Sequence, residues 1–145
     1  MVRTIDLFLA EENDVIANLS NISAIINSYM EHLNWVGFYI LKEDDLVLGP
    51  FQGKPACIRM KPPKGVCFSA VIHKKTVVVP NVDAFSGHIA CDSDSRSELV
   101  APIYKNGEIF GVLDLDSPLL DRFTNLEVKY IDLVADKLTT FLSAQ

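Results

Sequence analysis

The sequence of 145 residues has no long apolar run and no basic cluster. Its longest apolar runs, such as residues 76–80 and 109–113, are far shorter than the roughly 20 residues that a membrane span requires. There are 13 basic residues against 19 acidic ones, a net charge of −6, so a phosphate-backbone partner is not expected. The start, Met1–Asp6, lacks the apolar stretch of a signal peptide. We therefore expect a cytoplasmic protein that binds neither nucleic acid nor membrane.

Cysteines are also few, and the three present are Cys57, Cys67 and Cys91. Three thiols cannot close a disulfide framework, and in a reducing compartment they serve redox catalysis, bind a metal or lie buried. Because 49% of the residues are hydrophobic, the chain can bury a core without disulfides or a structural metal. No repeat, low-complexity tract or linker interrupts it, so residues 1–145 are expected to form a single domain.

Apolar periodicity predicts two long helices and one short one. The first is predicted over about residues 11–33, with an apolar stripe of Val15, Leu19, Ile22, Ile26, Tyr29 and Leu33. The short helix is predicted over 66–74, after the break at Pro62-Pro63-Lys64-Gly65. The last helix is predicted to begin at Thr124, where residues 124–127 fit a capping box and Phe123 can pack on Val128. Its buried stripe is expected to comprise Leu126, Tyr130, Val134, Leu138 and Phe141.

Six strands are predicted from runs of β-branched and aromatic residues bounded by turn formers: 34–41, 46–52, 56–60, 76–79, 99–104 and 108–115. Asn106-Gly107 supplies the positive φ angles of a tight turn between the last two strands. Tight turns in both the first and the last pair indicate antiparallel pairing. We therefore predict an α+β fold, with a central antiparallel sheet of about six strands packed with N- and C-terminal helices.

The segment from Gly87 to Glu98 surrounds Cys91 with short polar residues and acids and has no regular hydrophobic period. A cysteine that serves only as a small hydrophobe sits inside an apolar run, so this setting favours partial exposure and reactivity. Cys57 and Cys67 flank the break at Pro62-Pro63, and movement there would bring one of them to Cys91. Such movement would suit transient disulfide exchange.

Two other groups of residues suit a small ligand. In the first strand, Trp35, Gly37 and Tyr39 share one face, which would leave a gap between the rings for a methyl or methylthio group. Ordinary sheet packing explains the same pattern. Asp114 and Asp116 share a face near a strand end and would attract a cation or keep a proton near neutral pH. A solvated strand end is the alternative.

Glu98 lies where the loop after Cys91 enters the partner strand of the same hairpin, so it is positioned to join the two aspartates. A zinc set of Cys57, Cys67, Cys91 and His88 is also conceivable, but the spacing of these residues is poor for zinc and we assign no metal. A Cys-His hydrolase would need an orienting partner for His88, and the sequence identifies none.

Together, these features closely resemble the free methionine-R-sulfoxide reductase family of GAF-fold enzymes. The resemblance runs through nearly the whole chain, and its motifs are residues 34–39 (NWVGFY), 48–57 (LGPFQGKPAC), 65–67 (GVC), 87–93 (GHIACDS) and 111–118 (GVLDLDSP). It implies an enzyme without a cofactor that reduces the R epimer of free methionine sulfoxide with electrons from thioredoxin. It also implies a homodimer.

By the same resemblance, Cys91 matches the attacking cysteine and Cys57 the thiol that captures the resulting sulfenic acid. Cys67 resembles a second resolving or recycling thiol. Trp35 and Tyr39 match positions that hold the substrate methyl. Glu98, Asp114 and Asp116 match positions that hold the ammonium group and the sulfoxide oxygen of the substrate.

The chain departs from the family pattern at Phe68 and at Pro62-Pro63, both close to Cys67, which leaves the order of Cys57 and Cys67 open. A GAF sensor that binds a small molecule without turning it over is the alternative from another class. A sensor needs a pocket but no nucleophile and resolving pair.

Overall fold

The computed structural model describes residues 1–145. The helices are α1 (Val2–Glu11), α2 (Val15–Tyr29), α3 (Val66–His73) and α4 (Asn125–Ser143), with a 3-10 turn at Val82–Ala84. The strands are β1 (Trp35–Lys42), β2 (Asp45–Gly53), β3 (Arg59–Met60), β4 (Val77–Val79), β5 (Ser97–Lys105) and β6 (Glu108–Ser117). They form one sheet in the order β3-β2-β1-β6-β5-β4, and every neighbouring pair is antiparallel. The α+β prediction is confirmed.

One face of the sheet packs against α1, α2 and α4. Side chains from alternate positions of the three central strands, such as Phe38, Ile103 and Leu113, point to this side and are fully buried against the helices. Leu115 lies on the same face, as the alternation along the last strand predicts. This layer is the main core of the molecule.

The opposite face holds a second, smaller core under α3 and the segments that precede and follow it. Trp35 and Tyr39 point to this side, as predicted, and pack with Val100, Val112 and the buried Cys67. Both faces of β1 are therefore buried. The face opposite the long helices is the one that carries the candidate site.

The two predicted long helices are present as α2 and α4, but the bounds of the first and the buried face of the second differ from the prediction. The first predicted helix is shorter than expected because Asp14 caps α2 at Val15 and the helix ends at Tyr29, before Leu33. Residues 2–11 form a separate helix, α1, that the periodicity did not indicate. In α4 the capping box at Thr124 is present, but Leu126 and Tyr130 are exposed, and Ile131, Ala135 and Leu142 are buried instead.

The strand predictions place all six strands, with one correction that bears on the site. β3 contains only Arg59 and Met60, so Cys57 lies in an irregular segment rather than in a strand. β2 ends at Gly53, whose φ is +139°, and Pro55 has no backbone N–H to donate to a neighbouring strand, so the chain leaves the sheet ahead of the cysteine. β5 begins at Ser97 and β6 continues to Ser117, which puts Glu98 and Asp116 inside paired strands. No helix of this fold has the length and apolar character needed to cross a membrane.

Candidate active site

Strand register brings the predicted aromatic and acidic residues together. Trp35 pairs with Asp116, Asp116 with Glu98 and Glu98 with Val79, so these four side chains lie in one row across the sheet. In the next row on the same face, Asp114 lies between Gly37 and Val100. Because side chains in such rows are direct neighbours, the three acids form one cluster. Glu98, as predicted, is part of it.

The acid cluster is buried, with Glu98 6%, Asp114 5% and Asp116 9% exposed. The solvated strand end considered for the aspartates is therefore wrong. Burial raises the pKa of Asp114 to about 6, while the neighbouring Glu98 and Cys67 act in the opposite direction. Burial, and then the charges of neighbouring acids, raise the pKa values of Glu98 and Asp116 well above their usual range. The cluster therefore keeps its protons to higher pH than isolated carboxyl groups do.

Cys67 lies directly beside these acids, in the first turn of α3. The ligand atoms of Cys67, Glu98 and Asp114 all lie within 4.8 Å of one another. Burial, and then the charge of Asp114, raise the pKa of the Cys67 thiol well above its usual range, so this thiol is protonated and a weak nucleophile. The Oδ1 atom of Asp114 is buried and has no hydrogen-bond partner, which leaves it free to accept one from a ligand.

Cys57 and Cys91 form a disulfide, with Cα atoms 5.3 Å apart. The bond joins the segment before β3 to the segment before β5, two regions 34 residues apart in sequence. Sequence analysis considered a zinc site of four residues, and this disulfide bonds two of them, Cys57 and Cys91, to each other. That zinc arrangement is wrong for this structure. Cys67 is the remaining free thiol.

The segment that carries Cys91 is attached to the start of β1 through Asn34. The Asn34 side chain donates from Nδ2 to Asp92 Oδ2 and to Ser95 Oγ, each at 3.0 Å. The backbone N–H of Asn34 donates to the carbonyl of Asp116, also at 3.0 Å. One residue therefore connects the cysteine loop to the strand that carries two of the acids.

The segment that carries Cys57 is attached to the sheet at two successive carbonyls. The Tyr39 hydroxyl donates to the Cys57 carbonyl at 3.0 Å, and the Leu48 N–H donates to the Ile58 carbonyl at 2.9 Å. At the outer edge, Lys54 and Asp94 form an ion pair at 2.6 Å that joins the two cysteine segments. Both of its side chains are more than half exposed, so it contributes little stability.

The aromatic residues form a stack rather than a pair of walls with a gap between them. The ring centroids of Trp35 and Tyr39 are 5.7 Å apart, and those of Trp35 and Phe51 are 5.3 Å apart. Gly37 does not open a space, because a Cβ atom there would lie 2.3 Å from the Cβ of Phe51. The predicted gap between the rings is therefore wrong. The stack instead offers one continuous apolar wall.

Trp35 and Tyr39 of this wall line one small cavity together with the three acids and Cys91. Met60, Val66 and Ile89 complete its apolar side. About 40 Å³ of the cavity is open to the centres of water molecules. Seven of the eight residues predicted for the site line this cavity: Trp35, Tyr39, Cys67, Cys91, Glu98, Asp114 and Asp116. The eighth, Cys57, does not line it but is bonded to Cys91, which does.

His88 also reaches the cavity, next to a partner that sequence patterns did not indicate. Its Nε2 atom lies 3.7 Å from Glu98 Oε2. Burial lowers the pKa of His88, so the imidazole is neutral at pH 7 and does not offset the charge of the acids. Asn34 and the hydroxyl of Tyr39 were also missed as attachment points of the two cysteine segments. Asn34 stands inside the sequence motif of residues 34–39, which was the available signal.

Comparison with known proteins gives a consistent result. Residues 14–140 match the GAF domain family. The free methionine-R-sulfoxide reductase of Escherichia coli (strain K12) is 45% identical over 85% of this chain and 74% of its own length.

Two solved structures are equally informative. The first is the fRMsr of Staphylococcus aureus in its reduced form, 43% identical with a TM-score of 0.93 over 97% of this chain and 92% of that one. The second is the free methionine-R-sulfoxide reductase from Neisseria meningitidis in complex with its substrate, 41% identical with a TM-score of 0.95 over 99% of this chain and 86% of that one. The chain therefore belongs to the free methionine-R-sulfoxide reductase family of GAF-domain proteins.

Proposed function

We propose that this chain reduces free methionine-R-sulfoxide to methionine, with Cys91 as the nucleophile. The observation that carries the proposal is the Cys57–Cys91 disulfide, which borders a cavity lined by an aromatic wall and three buried acids. A ligand-binding domain has no use for such a thiol pair, whereas a thiol reductase ends each turnover with one. The names of the relatives in E. coli and N. meningitidis support the same reaction.

In this proposal the substrate lies between the aromatic wall and the acid cluster. Trp35 and Tyr39 contact its methyl group, as the resemblance implies, while Glu98, Asp114 and Asp116 hold its ammonium group and sulfoxide oxygen. The ammonium supplies the positive charge that the cluster lacks, and a methionine residue within a polypeptide has no such group. Charge complementarity therefore supports selectivity for the free amino acid.

The first chemical step transfers oxygen from substrate to enzyme. The Cys91 thiolate attacks the sulfoxide sulfur, and the sulfoxide oxygen takes a proton from the acid cluster, whose raised pKa values keep a proton available near neutral pH. Methionine leaves, and Cys91 holds the oxygen as a sulfenic acid. The substrate sulfur gains two electrons and the Cys91 sulfur loses two.

The second step forms the disulfide. The Cys57 thiol attacks the Cys91 sulfenic acid, water leaves and the Cys57–Cys91 bond forms. A dithiol reductant, for which the family resemblance supports thioredoxin, then reduces this bond by exchange and is itself oxidised. We propose that substrate reacts only after this reduction, because the disulfide holds the sulfur of Cys91, the nucleophile that lines the cavity.

Cys67 is proposed as a second resolving or recycling thiol. Its place next to the acids supports access to the reaction centre, whereas its burial and raised pKa argue against its being the first nucleophile. The proposal also includes a single catalytic domain in the cytoplasm, where thiols are kept reduced. It further includes a homodimer, which the exposed apolar side chains of Tyr29, Leu126 and Tyr130 beside one surface groove support.

The deciding experiment is an assay that couples NADPH oxidation through thioredoxin reductase and thioredoxin to the protein. The substrates compared are free L-methionine-R-sulfoxide, its S epimer and a peptide that contains methionine sulfoxide. We expect turnover of the free R epimer alone. No turnover of any of the three by fully reduced protein would instead favour the GAF sensor.

The cysteine roles are tested in the same assay with single variants. Cys91→Ser is expected to reduce turnover to background while still binding methionine sulfoxide, because serine keeps the shape of the site without the nucleophile. Cys57→Ser is expected to release a first equivalent of methionine per chain at the normal rate and then to turn over more slowly, because only Cys67 remains to resolve the Cys91 sulfenic acid. Sustained turnover by Cys91→Ser would contradict the assignment of the nucleophile.

A further inference from the structure

We infer that the Tyr39 hydroxyl positions Cys57 for disulfide closure, a task separate from contact between the Tyr39 ring and substrate. The inference rests on the proposed function only in naming Cys57 as the resolving thiol. It makes Tyr39 a positioning residue that acts through the backbone of the cysteine segment. The consequence concerns the second half of the reaction, after methionine has left.

The contact is a single hydrogen bond from Tyr39 Oη to the carbonyl oxygen of Cys57, at 3.0 Å. Tyr39 is 2% exposed and lies in β1, which is paired on both sides, with β2 and with β6. The donor therefore belongs to a strand that is held from both sides. The acceptor belongs to a segment without regular structure, residues 54–58.

The direction of the hydroxyl is fixed by packing of the ring. Tyr39 stacks on Trp35, which stacks in turn on Phe51, with interplanar angles of 24° and 17°. A phenol oxygen lies in the plane of its ring, so a ring held by this stack can place its hydroxyl in few positions. The hydrogen bond thus connects the backbone of Cys57 to the aromatic wall beside the cavity.

Other attachments of the segment do not reach Cys57 as directly. The Leu48 N–H holds the carbonyl of Ile58, one residue further on, where the chain enters β3. The Lys54–Asp94 ion pair is exposed, with 68% and 52% of the two side chains accessible, and contributes little. The Tyr39 hydroxyl is accordingly the buried restraint at the cysteine itself.

Disulfide closure depends on the effective concentration of one thiol at the other, which falls when a segment is free to move. Without the hydroxyl, Cys57 would spend more time away from Cys91, and the Cys91 sulfenic acid would persist and become exposed to further oxidation. The effect is expected to be that of one net hydrogen bond, roughly fivefold in the closure equilibrium.

The test is a thiol–disulfide equilibrium in glutathione buffers, which requires no sulfoxide reduction. Tyr39→Phe keeps the ring stack and removes only the hydroxyl. It is compared with Tyr104→Phe, the same chemical change in β5, and with unmodified Tyr39, all in a Cys67→Ser background so that Cys57–Cys91 is the one intramolecular disulfide that can form. The oxidised fraction is measured by alkylation of free thiols and mass spectrometry.

We expect the ratio of squared reduced to oxidised glutathione at half-oxidation to fall roughly fivefold in Tyr39→Phe and to stay unchanged in Tyr104→Phe. An unchanged ratio in Tyr39→Phe would overturn the inference, and so would an equal fall in Tyr104→Phe, which would indicate general loosening. Because methionine formation is measured separately, the failure of this inference and the failure of the proposed function are distinguishable.

Discussion

Glu98, Asp114 and Asp116 are unusual at the level of single residues because they are buried together with no cation that offsets their charge. The nearest basic group is His88, 3.7 Å from Glu98, and burial lowers its pKa. Burying like charges without a counter-ion is costly, and the raised pKa values of the three acids record that cost. A substrate with an ammonium group supplies the missing positive charge. A substrate that also accepts a proton takes it from acids whose pKa values are raised.

Replacing Asp116 by asparagine tests the role of one acid. Asp116→Asn keeps the size and a hydrogen-bonding capacity but can neither balance an ammonium charge nor pass on a proton. We expect kcat/KM for free methionine-R-sulfoxide to fall by about 10²-fold or more, the range of general acid catalysis. Asp136→Asn in α4, an exposed position far from the cavity, is the matched control and is expected to keep its activity. Equal activity of the two variants would remove Asp116 from the mechanism.

At the level of elements, β1 and β2 approach so closely that glycine is required between them. A Cβ at Gly37 would lie 2.3 Å from the Cβ and 2.8 Å from the Cα of Phe51. The strands also shift register just after this point, between Gly37 and Tyr39. This approach seats Phe51 against Trp35, so the aromatic wall depends on the spacing of two strands.

Gly37→Ala is expected to destabilise the fold by roughly 1–3 kcal/mol, because backbone and Cβ atoms of β2 must move to admit one methyl group. Gly49→Ala in β2 is a graded control, since its added Cβ would come no closer than 3.2 Å to any neighbour. The free energy of unfolding, measured by urea denaturation, should fall more for Gly37→Ala than for Gly49→Ala. A similar loss of unfolding free energy in the two variants would show that the close approach of the strands at Gly37 is not the cause of the destabilisation.

The helices show where sequence patterns suffice and where they fail. The cap of α4 is local chemistry, and Thr124 and Glu127 do form the predicted capping box. The buried face of α4 was predicted at intervals of four from Leu126 to Leu138, a spacing that drifts around a helix of 3.6 residues per turn. The true face alternates intervals of three and four and includes Ile131 and Ala135, so the prediction is wrong at its first two positions. Which face is buried depends on the sheet, which no local pattern contains.

For the whole molecule, the buried acids predict how stability changes with pH. The pKa of Asp114 rises from 3.8 to about 6 on folding, so the folded state holds a proton that the unfolded state releases between these pH values. Stability contributed by this proton is present below pH 3.8 and is lost as pH rises through 6. The raised pKa values of Glu98 and Asp116 continue the loss to higher pH.

Comparing wild type with Asp114→Asn isolates this effect, because acids at the surface contribute equally to both proteins. We expect the Tm of wild type to fall relative to that of the variant as pH rises from 4 to 8, with the variant the more stable at pH 8. Calorimetry at several pH values would measure the difference. A wild-type Tm that rises relative to the variant over this range would show that Asp114 is stabilised as a carboxylate.

The content of the site was predictable from sequence, but its geometry was not. Alternation along one strand placed Trp35 and Tyr39 on one face, and the spacing of Asp114 and Asp116 placed both on one face. The Asn106-Gly107 turn, with φ angles of +52° and +83°, joins β5 and β6 as predicted. The burial of the acids and the hydrogen bond from Tyr39 to Cys57 depend on segments that fold over the sheet from elsewhere in the chain. Contacts made by segments that are distant in the chain produce no periodic pattern in the sequence, so they could not be predicted from it.

The row that joins Trp35, Asp116, Glu98 and Val79 uses the same strand register that buries Phe38 and Leu113 on the opposite face. A slip of one residue would move the acids into the helical core, so the same register that builds the core also places the acid half of the site. Cys57 and Cys91, by contrast, lie on irregular segments that tolerate change. The two halves can therefore be lost separately. On the proposed function, exchanging both cysteines would remove the redox chemistry and leave the pocket, whereas no change in the loops would replace the acids, which belong to the strands.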